Sequence, residues 1–149
     1  MGEGERYTVS GASGSAAVAA RLGLSQGDTV GEIGYDEDVD HDLREAVEDL
    51  IGSELLDEDT DEVLDAVLVW WREEDGDVTD GLVDAITLLA DNGVIWLLTP
   101  KTGTPGYIDA SEIGEATRTA GLAQTTTVPT GGPWMIARIA RAKQSRPRR

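Results

Sequence analysis

Two short, continuously apolar runs dominate the hydrophobic pattern of the chain, at residues 66–71 and 94–98. Between them, residues 77–90 carry apolar side chains at helical spacing. A buried run, an amphipathic helix and a second buried run are typical of parallel strands joined by a right-handed crossover. The pattern predicts two central strands side by side and a helix that Asp77 or Thr79 begins and residues 91–93 end. Its apolar stripe is Leu82, Val83, Ile86, Leu89 and Ala90.

The residues before these runs predict two helices and one further strand. Residues 1–13 are rich in Gly and Ser without an apolar period, which is typical of a flexible leader. Residues 14–24 have helical spacing. Residues 29–35 alternate like a strand, and two glycines there let other backbone come close. A second helix runs to Ile51, with Asp40 as its N-cap and Gly52 closing it.

The C-terminal part predicts a shaped loop, a helix and a hairpin. The loop over 99–108 holds two prolines and two glycines. Asp109 and Glu112 fit a capping box for a helix ending at Gly121. Residues 122–128 and 134–140 are β-prone and flank a Pro/Gly turn, which indicates an antiparallel hairpin at one end of the sheet.

These elements predict one α/β domain over residues 14–140, followed by a basic disordered tail at 141–149. The simplest arrangement that buries the apolar faces of these elements is a three-layer, Rossmann-like domain with a mostly parallel sheet. The last segments resemble the C-terminal half of the methyltransferase-type Rossmann fold.

Charge is distributed unevenly along the chain. The formal net charge is −17, and residues 28–91 hold 24 acidic side chains against only Arg44 and Arg72. Residues 138–149 instead hold six Lys or Arg and no acid. An acidic body repels nucleic acid and attracts basic surfaces, so we expect a protein partner with a basic surface. The tail can bind phosphates, fold back on the body or remain solvated.

The absence of certain residues and segments narrows the classes of function. The chain has no cysteine, which excludes disulfides, thiolate catalysis and Cys-ligated metal sites and fits a cytoplasmic location. No apolar run approaches the roughly 18 residues that span a bilayer, and no basic segment followed by a hydrophobic core opens the chain. We therefore expect a soluble, cytoplasmic protein without membrane contact.

Three stretches carry a family resemblance: EIGYDEDVD at 32–40, DAVLVWWR at 65–72 and GVIWLLTPK at 93–101. They are similar to an actinobacterial family catalogued only as a domain of unknown function, number 3052. The similarity runs from about Val18 to Ile139. The resemblance implies a small, cytoplasmic, stand-alone protein with no agreed activity, cofactor or catalytic residue.

The strand ends are the best place for a ligand, because ligands of open α/β sheets bind beyond the carboxyl ends of the strands. In methyltransferase-like domains such positions hold S-adenosylmethionine and the substrate. Arg72 is a possible anion clamp, but no glycine-rich turn follows the first strand to cradle a nucleotide. The candidate ligand-binding residues are Gly34, Tyr35, Asp36, Trp70, Trp71, Arg72, Thr99, Pro100 and Lys101. Adjacent Trp70 and Trp71 are expected under different helix layers.

Metal and catalytic signatures are incomplete. Asp36, Asp38 and Asp40 match the first three ligands of an EF-hand, but His41 replaces the required glycine and Val47 the bidentate glutamate. His41 is the single histidine, and no nucleophile-elbow sequence supports a Ser-His-Asp triad. No catalytic residue, metal ligand or cofactor is assigned.

Two hypotheses follow from these patterns. We favour a non-catalytic, acidic regulatory or protein-interaction domain. The alternative is a methyltransferase-like domain that binds S-adenosylmethionine, a nucleotide or another small anionic ligand at the strand ends.

Overall fold

Helices and strands alternate along the chain in the predicted order. The computed structural model describes residues 12–128, 130 and 132–142. A short 3₁₀ turn, Glu73–Asp75, follows the second strand. The elements are α1 (Ala12–Ala20), β1 (Val30–Ile33), α2 (His41–Ile51), β2 (Leu64–Trp70), α3 (Val78–Leu88), β3 (Leu89–Pro100), α4 (Ala110–Thr119), β4 (Leu122–Val128) and β5 (Trp134–Arg141).

The strands form one mixed sheet in the order β1-β2-β3-β5-β4. β2 and β3 are parallel neighbours, with Val67 opposite Ile95 and Val69 opposite Leu97. This confirms the central prediction from the two apolar runs. The final strand β5 inserts antiparallel between β3 and β4 and forms the predicted hairpin with β4. The fold is therefore a three-layer, Rossmann-like α/β domain.

Each face of the sheet buries a separate apolar core. Trp70, Trp96 and Leu98 face the side covered by α1 and α2, whereas Val69 and Leu97 face the side covered by α3 and α4. Strands buried on both faces have no polar positions, which explains why the two runs are continuously apolar.

The helices that follow β1 and β2 lie on opposite faces of the sheet. After α2 the chain returns along the outer edge of β1, where Leu56 forms a parallel bridge with Gly31, whereas after α3 it returns as β3 on the far side of β2. Because the two connections step across the sheet in opposite directions, crossovers of the same hand place their helices on opposite faces. Leu56, in the connection from α2 to β2, exchanges backbone hydrogen bonds with Val30 and Glu32 and covers the outer edge of β1.

The opposite departures of α2 and α3 determine where a site can form. Neighbouring strands whose following helices leave to opposite faces open a crevice at their carboxyl ends. In this fold, that crevice lies between the ends of β1 and β2.

Several predicted boundaries are wrong. α3 ends at Leu88, and residues 89–93 belong to β3, because Leu89 pairs with Leu64 in the sheet. Val83 is 44% exposed and does not belong to the buried stripe. Asp109 caps α4 without a side-chain hydrogen bond, so the capping box with Glu112 is absent.

The ends of the predicted domain fall partly outside the described residues. α1 begins at Ala12, inside the predicted leader, and β5 ends at Arg141, the first residue of the predicted tail. Residues 1–11 and 143–149 lie outside the described part, as do Pro129 and Gly131 of the predicted turn. In the described ranges, no helix has the length and apolar character to cross a membrane.

Candidate functional site

Gly34 brings the ends of β1 and β2 into direct contact. It follows β1 with a φ of +82°, a conformation that strongly favours glycine. A Cβ at this position would collide with the backbone carbonyl of Trp70. The sequence-based expectation that glycine here lets backbone approach closely is confirmed.

The Arg72 side chain fills the crevice. Its Nη1 donates to the carbonyl oxygens of Gly34, at 2.8 Å, and Trp70, at 3.3 Å. Its Nε and Nη2 donate to both carboxylate oxygens of Asp38, at 3.0 and 2.5 Å. A further ion pair joins Nη1 to Asp75 at 3.2 Å. Only 7% of this side chain is exposed, so the guanidinium ties together the loops that follow β1 and β2.

Trp134 closes the crevice on the side of α1 and α2. The guanidinium carbon of Arg72 lies 5.3 Å from the centre of its ring, within the range of a cation-π contact. The ring also packs edge-to-face against Trp70, with centroids 5.0 Å apart. Its Nε1 donates to the backbone carbonyl of Asp38 at 3.2 Å. The first residue of β5 thus holds the same loop that Arg72 holds.

A second buried ion pair lies beside the crevice, on β1. Glu32 is 7% exposed and accepts hydrogen bonds from Trp70 Nε1 at 2.7 Å and from Arg44 at 2.6 and 2.8 Å. The Arg44 guanidinium in turn lies over the Tyr35 ring, 4.7 Å from its centre. A buried carboxylate with three charge-assisted or indole donors is well satisfied.

These ion pairs shift the titration of their members. The hydrogen bonds from Arg72 hold the pKa of Asp38 below its usual value. The hydrogen bonds from Arg44 to Glu32 raise the pKa of Arg44 further above its usual value. Both arginines therefore remain charged and paired across the physiological range.

The structure brings only some of the nine predicted site residues together. Gly34, Trp70 and Arg72 meet at the crevice, and Pro100 pairs with Trp134 at its border. Trp71 packs on the opposite face, against Gly81 of α3, which confirms that the two tryptophans separate.

The remaining predicted residues point elsewhere. Tyr35 is 52% exposed, and the Asp36 carboxylate accepts from the backbone N–H of Glu37. Thr99 faces a different cavity on the side of α3 and α4. Lys101 lies half-buried beside Trp134 and Met135.

A nucleoside cofactor does not fit this crevice. The volume between the strand ends is occupied by a guanidinium whose donors are taken by Gly34, Trp70, Asp38 and Asp75. At Gly34 the two strand ends approach so closely that even a Cβ would meet the Trp70 carbonyl. The anion clamp that Arg72 suggested is likewise occupied by the chain's own carboxylates.

The three aspartates that resemble an EF-hand are each engaged separately. Asp38 pairs with Arg72, Asp40 caps α2 through the Leu43 N–H, and Asp36 bonds its own loop. Among the residues that the structure describes, no group of three or more His, Asp or Glu is arranged to hold a metal ion.

The outer surface of residues 28–91 is rich in carboxylates. Its two arginines, Arg44 and Arg72, are both consumed by the internal ion pairs. A groove of about 340 Å³ lies between α1 and α2. Its floor includes Ala16, Ala19 and Ala46, and its rim carries Asp42, Glu45 and Asp49.

Sequence reasoning missed Asp38, Glu32, Arg44 and Trp134 as members of the strand-end cluster. Arg72 and Asp38 are 34 residues apart, so no local pattern joins them. One available signal was the parallel pairing itself, since the loops that follow neighbouring parallel strands meet at one edge of the sheet.

The solved structures that are similar to this chain include several methyltransferases. The mitomycin 7-O-methyltransferase MmcR has a TM-score of 0.60 at 19% identity; the similarity covers 87% of this chain, which spans about half, 53%, of that protein. Magnesium protoporphyrin IX methyltransferase from Synechocystis, solved with bound SAM, has a TM-score of 0.54 at 11% identity, covering 85% and 76% of the two chains. A SAM-dependent methyltransferase from Aquifex aeolicus gives 0.58 at 16%, covering 84% and 88%. At these identities, the likeness shows the fold alone.

The proteins that are similar to this chain in sequence are described as uncharacterized. An uncharacterized protein of Mycobacterium tuberculosis strain H37Rv is 50% identical over 136 residues, which cover 91% of this chain and 85% of the relative. An uncharacterized protein of Mycobacterium bovis matches to the same extent. The family model described as "Protein of unknown function (DUF3052)" matches residues 19–143. The chain therefore belongs to the DUF3052 family of proteins of unknown function.

Proposed function

We propose that this chain is a non-catalytic interaction domain that binds a protein partner with a basic surface. The observation that supports the proposal is that the arginines of the acidic segment are paired inside the protein. Residues 28–91 hold 24 acidic side chains, and the two arginines among them pair internally. A basic partner therefore meets a segment rich in carboxylates, whose own two arginines are already paired.

The groove between α1 and α2 is the best-shaped part of this surface for a partner. Asp42, Glu45 and Asp49 are exposed and share one face of α2. The alanines beneath them let another backbone approach closely. An amphipathic helix with small apolar residues on one side and Lys or Arg beside them matches this combination.

The closed crevice supports the non-catalytic part of the proposal. Enzymes of an α/β fold place chemistry at the strand-end crevice, and here Arg72, Gly34 and Asp38 fill it. The alternative, a methyltransferase-like domain that binds S-adenosylmethionine, a nucleotide or a small anion, is supported by the fold similarity alone. For this alternative, the Arg72 guanidinium would have to leave the carbonyls of Gly34 and Trp70 and the carboxylates of Asp38 and Asp75.

A labelled helical peptide with lysines on one face and alanines on the other tests the proposal by fluorescence anisotropy. Neutralising the groove by Asp42→Asn, Glu45→Gln and Asp49→Asn should weaken binding between about threefold and 150-fold, since each of the three exposed pairs is worth roughly 0.2–1 kcal/mol. Binding to the unaltered protein should also weaken at high salt.

The matched control removes the same charge elsewhere, through Glu58→Gln, Glu62→Gln and Asp84→Asn, which are all exposed and lie outside the groove. We expect its affinity to remain within about twofold to threefold of the original. Equal losses in both variants would mean that net charge alone attracts the peptide, and would contradict a defined docking groove.

A further inference from the structure

A separate cavity lies on the opposite face of the sheet from the groove. It has a volume of about 180 Å³ and lies between the loop after β3, the start of α4 and the β4–β5 hairpin. Ile108, Ile113 and Met135 provide apolar lining, and Thr99, Gln124 and Thr127 provide polar groups. A mostly apolar cavity with a few polar groups is the usual form of a small-molecule site.

Thr99 presents a hydroxyl to this cavity. The residue is 5% exposed and lines the cavity, and the threonine hydroxyls that donate hydrogen bonds within the described residues do not include that of Thr99. Thr117 of α4, which is 2% exposed, provides a contrast, because its hydroxyl donates to the Ile113 carbonyl at 2.7 Å. Among the described residues, the enclosed polar atom left without a partner is Trp96 Nε1 and not the Thr99 oxygen, so the Thr99 hydroxyl is open to the cavity, where a ligand can hydrogen-bond to it.

The lining indicates the chemistry of the ligand. No charged side chain of the described residues lines the cavity, so a charged molecule would lose its hydration without compensation. An apolar cavity of about 150 Å³ holds benzene, which makes about 180 Å³ suitable for one substituted ring. Met135, 40% exposed, lies at the entrance, and its flexible thioether adapts well to a flat ring.

We propose that this cavity binds a neutral, ring-sized aromatic molecule whose hydroxyl or amide group hydrogen-bonds to Thr99. Gln124 and Thr127 offer further polar contacts along the β4 side. The site uses neither the crevice filled by Arg72 nor the acidic groove, so it is independent of the proposed protein interaction.

Saturation-transfer NMR and calorimetry with phenol and benzamide test the site. Ligands of seven to nine non-hydrogen atoms reach dissociation constants from tens of micromolar to about 1 mM when well buried. We expect saturable binding of both in that range, and at least tenfold weaker binding of benzoate. No saturable binding of phenol or benzamide at concentrations of about 10 mM would overturn the proposal and leave a merely hydrated cavity.

Three variants locate the binding. Thr99→Val should weaken phenol binding at least fivefold while leaving toluene binding unchanged, because only phenol uses the hydroxyl. Ala137→Leu, which fills the cavity from β5, should abolish both. Thr117→Val is the matched control and should leave both ligands unaffected, since Thr117 does not line this cavity. Phenol binding unchanged by both Thr99→Val and Ala137→Leu would place it elsewhere and refute the assignment.

The thermal stability of Thr99→Val without ligand gives a readout independent of binding. A hydroxyl that is open to the cavity and bonded to no protein group contributes little to stability, so the melting temperature of Thr99→Val should stay the same or rise. A fall comparable to that of Thr117→Val would show that the Thr99 hydroxyl already has a partner, and would remove the basis of the proposal.

Discussion

Replacing Arg72 with Met tests whether the guanidinium holds the strand-end crevice closed. Methionine keeps an apolar stem against Trp134 and removes every donor of the guanidinium. Those donors serve the carbonyls of Gly34 and Trp70 and the carboxylates of Asp38 and Asp75. The variant therefore isolates the polar contacts of one side chain.

The expected loss follows from the exposure of each partner. The Trp70 carbonyl is buried, and the two carbonyls together cost about 1–3 kcal/mol when they lose this donor. Asp38 and Asp75 have 55% and 34% of their side chains exposed, so each ion pair contributes at most about 1 kcal/mol after solvent screening. Burying the charged guanidinium costs free energy in the original protein, and Arg72→Met removes that cost, which offsets part of the lost stability. We expect a net destabilisation of about 2–3 kcal/mol.

Urea unfolding followed by tryptophan fluorescence measures this loss. With an unchanged slope of about 2 kcal/mol/M, the midpoint should fall by roughly 1–1.5 M. Arg118→Met is the matched control, because Arg118 is exposed at the end of α4, and it should cost less than about 0.5 kcal/mol. If Arg72→Met proves no less stable than this control, the guanidinium does not hold the loops and the account of the crevice is wrong.

Three further perturbations probe the same region. Gly34→Ala should destabilise the protein by about 2 kcal/mol more than Gly103→Ala, because both glycines have positive φ but only a Cβ at 34 would meet a carbonyl. Thermal unfolding measures the difference, and equal losses of stability would argue against the close approach of the two strand ends. Trp70→Phe should cost about 1–2 kcal/mol more stability than Trp96→Phe, because the Trp70 N–H donates to the buried Glu32 carboxylate, whereas the Trp96 N–H has no partner among the described residues. The midpoints of urea unfolding compare the two variants, and a larger loss in Trp96→Phe would refute the role of the Trp70 hydrogen bond. The pKa of Asp38 is depressed in the folded protein, so its contribution to stability is present above the unfolded pKa of about 3.9 and is lost as pH falls through the folded value. The free energy of unfolding should therefore fall less steeply between pH 5 and 2 in Asp38→Asn than in the original protein. Identical pH dependence of the two proteins would contradict the pairing of Asp38 with Arg72.

The sheet could be predicted because its central strands have an unambiguous pattern. Residues 66–71 and 94–98 are continuously apolar since both faces of β2 and β3 are buried. The end of α3 was less determined, because Leu89 and Ala90 continue the helical stripe as well as they begin a strand. Pairing of Leu89 with Leu64, a tertiary contact, decides between the two.

The candidate site depends on contacts that local patterns do not contain. The chain order predicts that the loops after β1 and β2 meet, but not that Arg72 turns inward to bind Asp38. A lone arginine after a strand suggests an anion clamp equally well. The partner that satisfies it is 34 residues away and became visible only with the fold.

Calorimetric titration of the protein with S-adenosylmethionine and S-adenosylhomocysteine shows whether Arg72 keeps the strand-end crevice closed to ligands. We expect no saturable heat for either compound at concentrations up to about 1 mM, which corresponds to a binding free energy weaker than about −4 kcal/mol. One-to-one binding of either compound tighter than about 100 μM, strengthened when Arg72→Ala empties the crevice, would show that the crevice accepts a ligand and that the guanidinium does not close it.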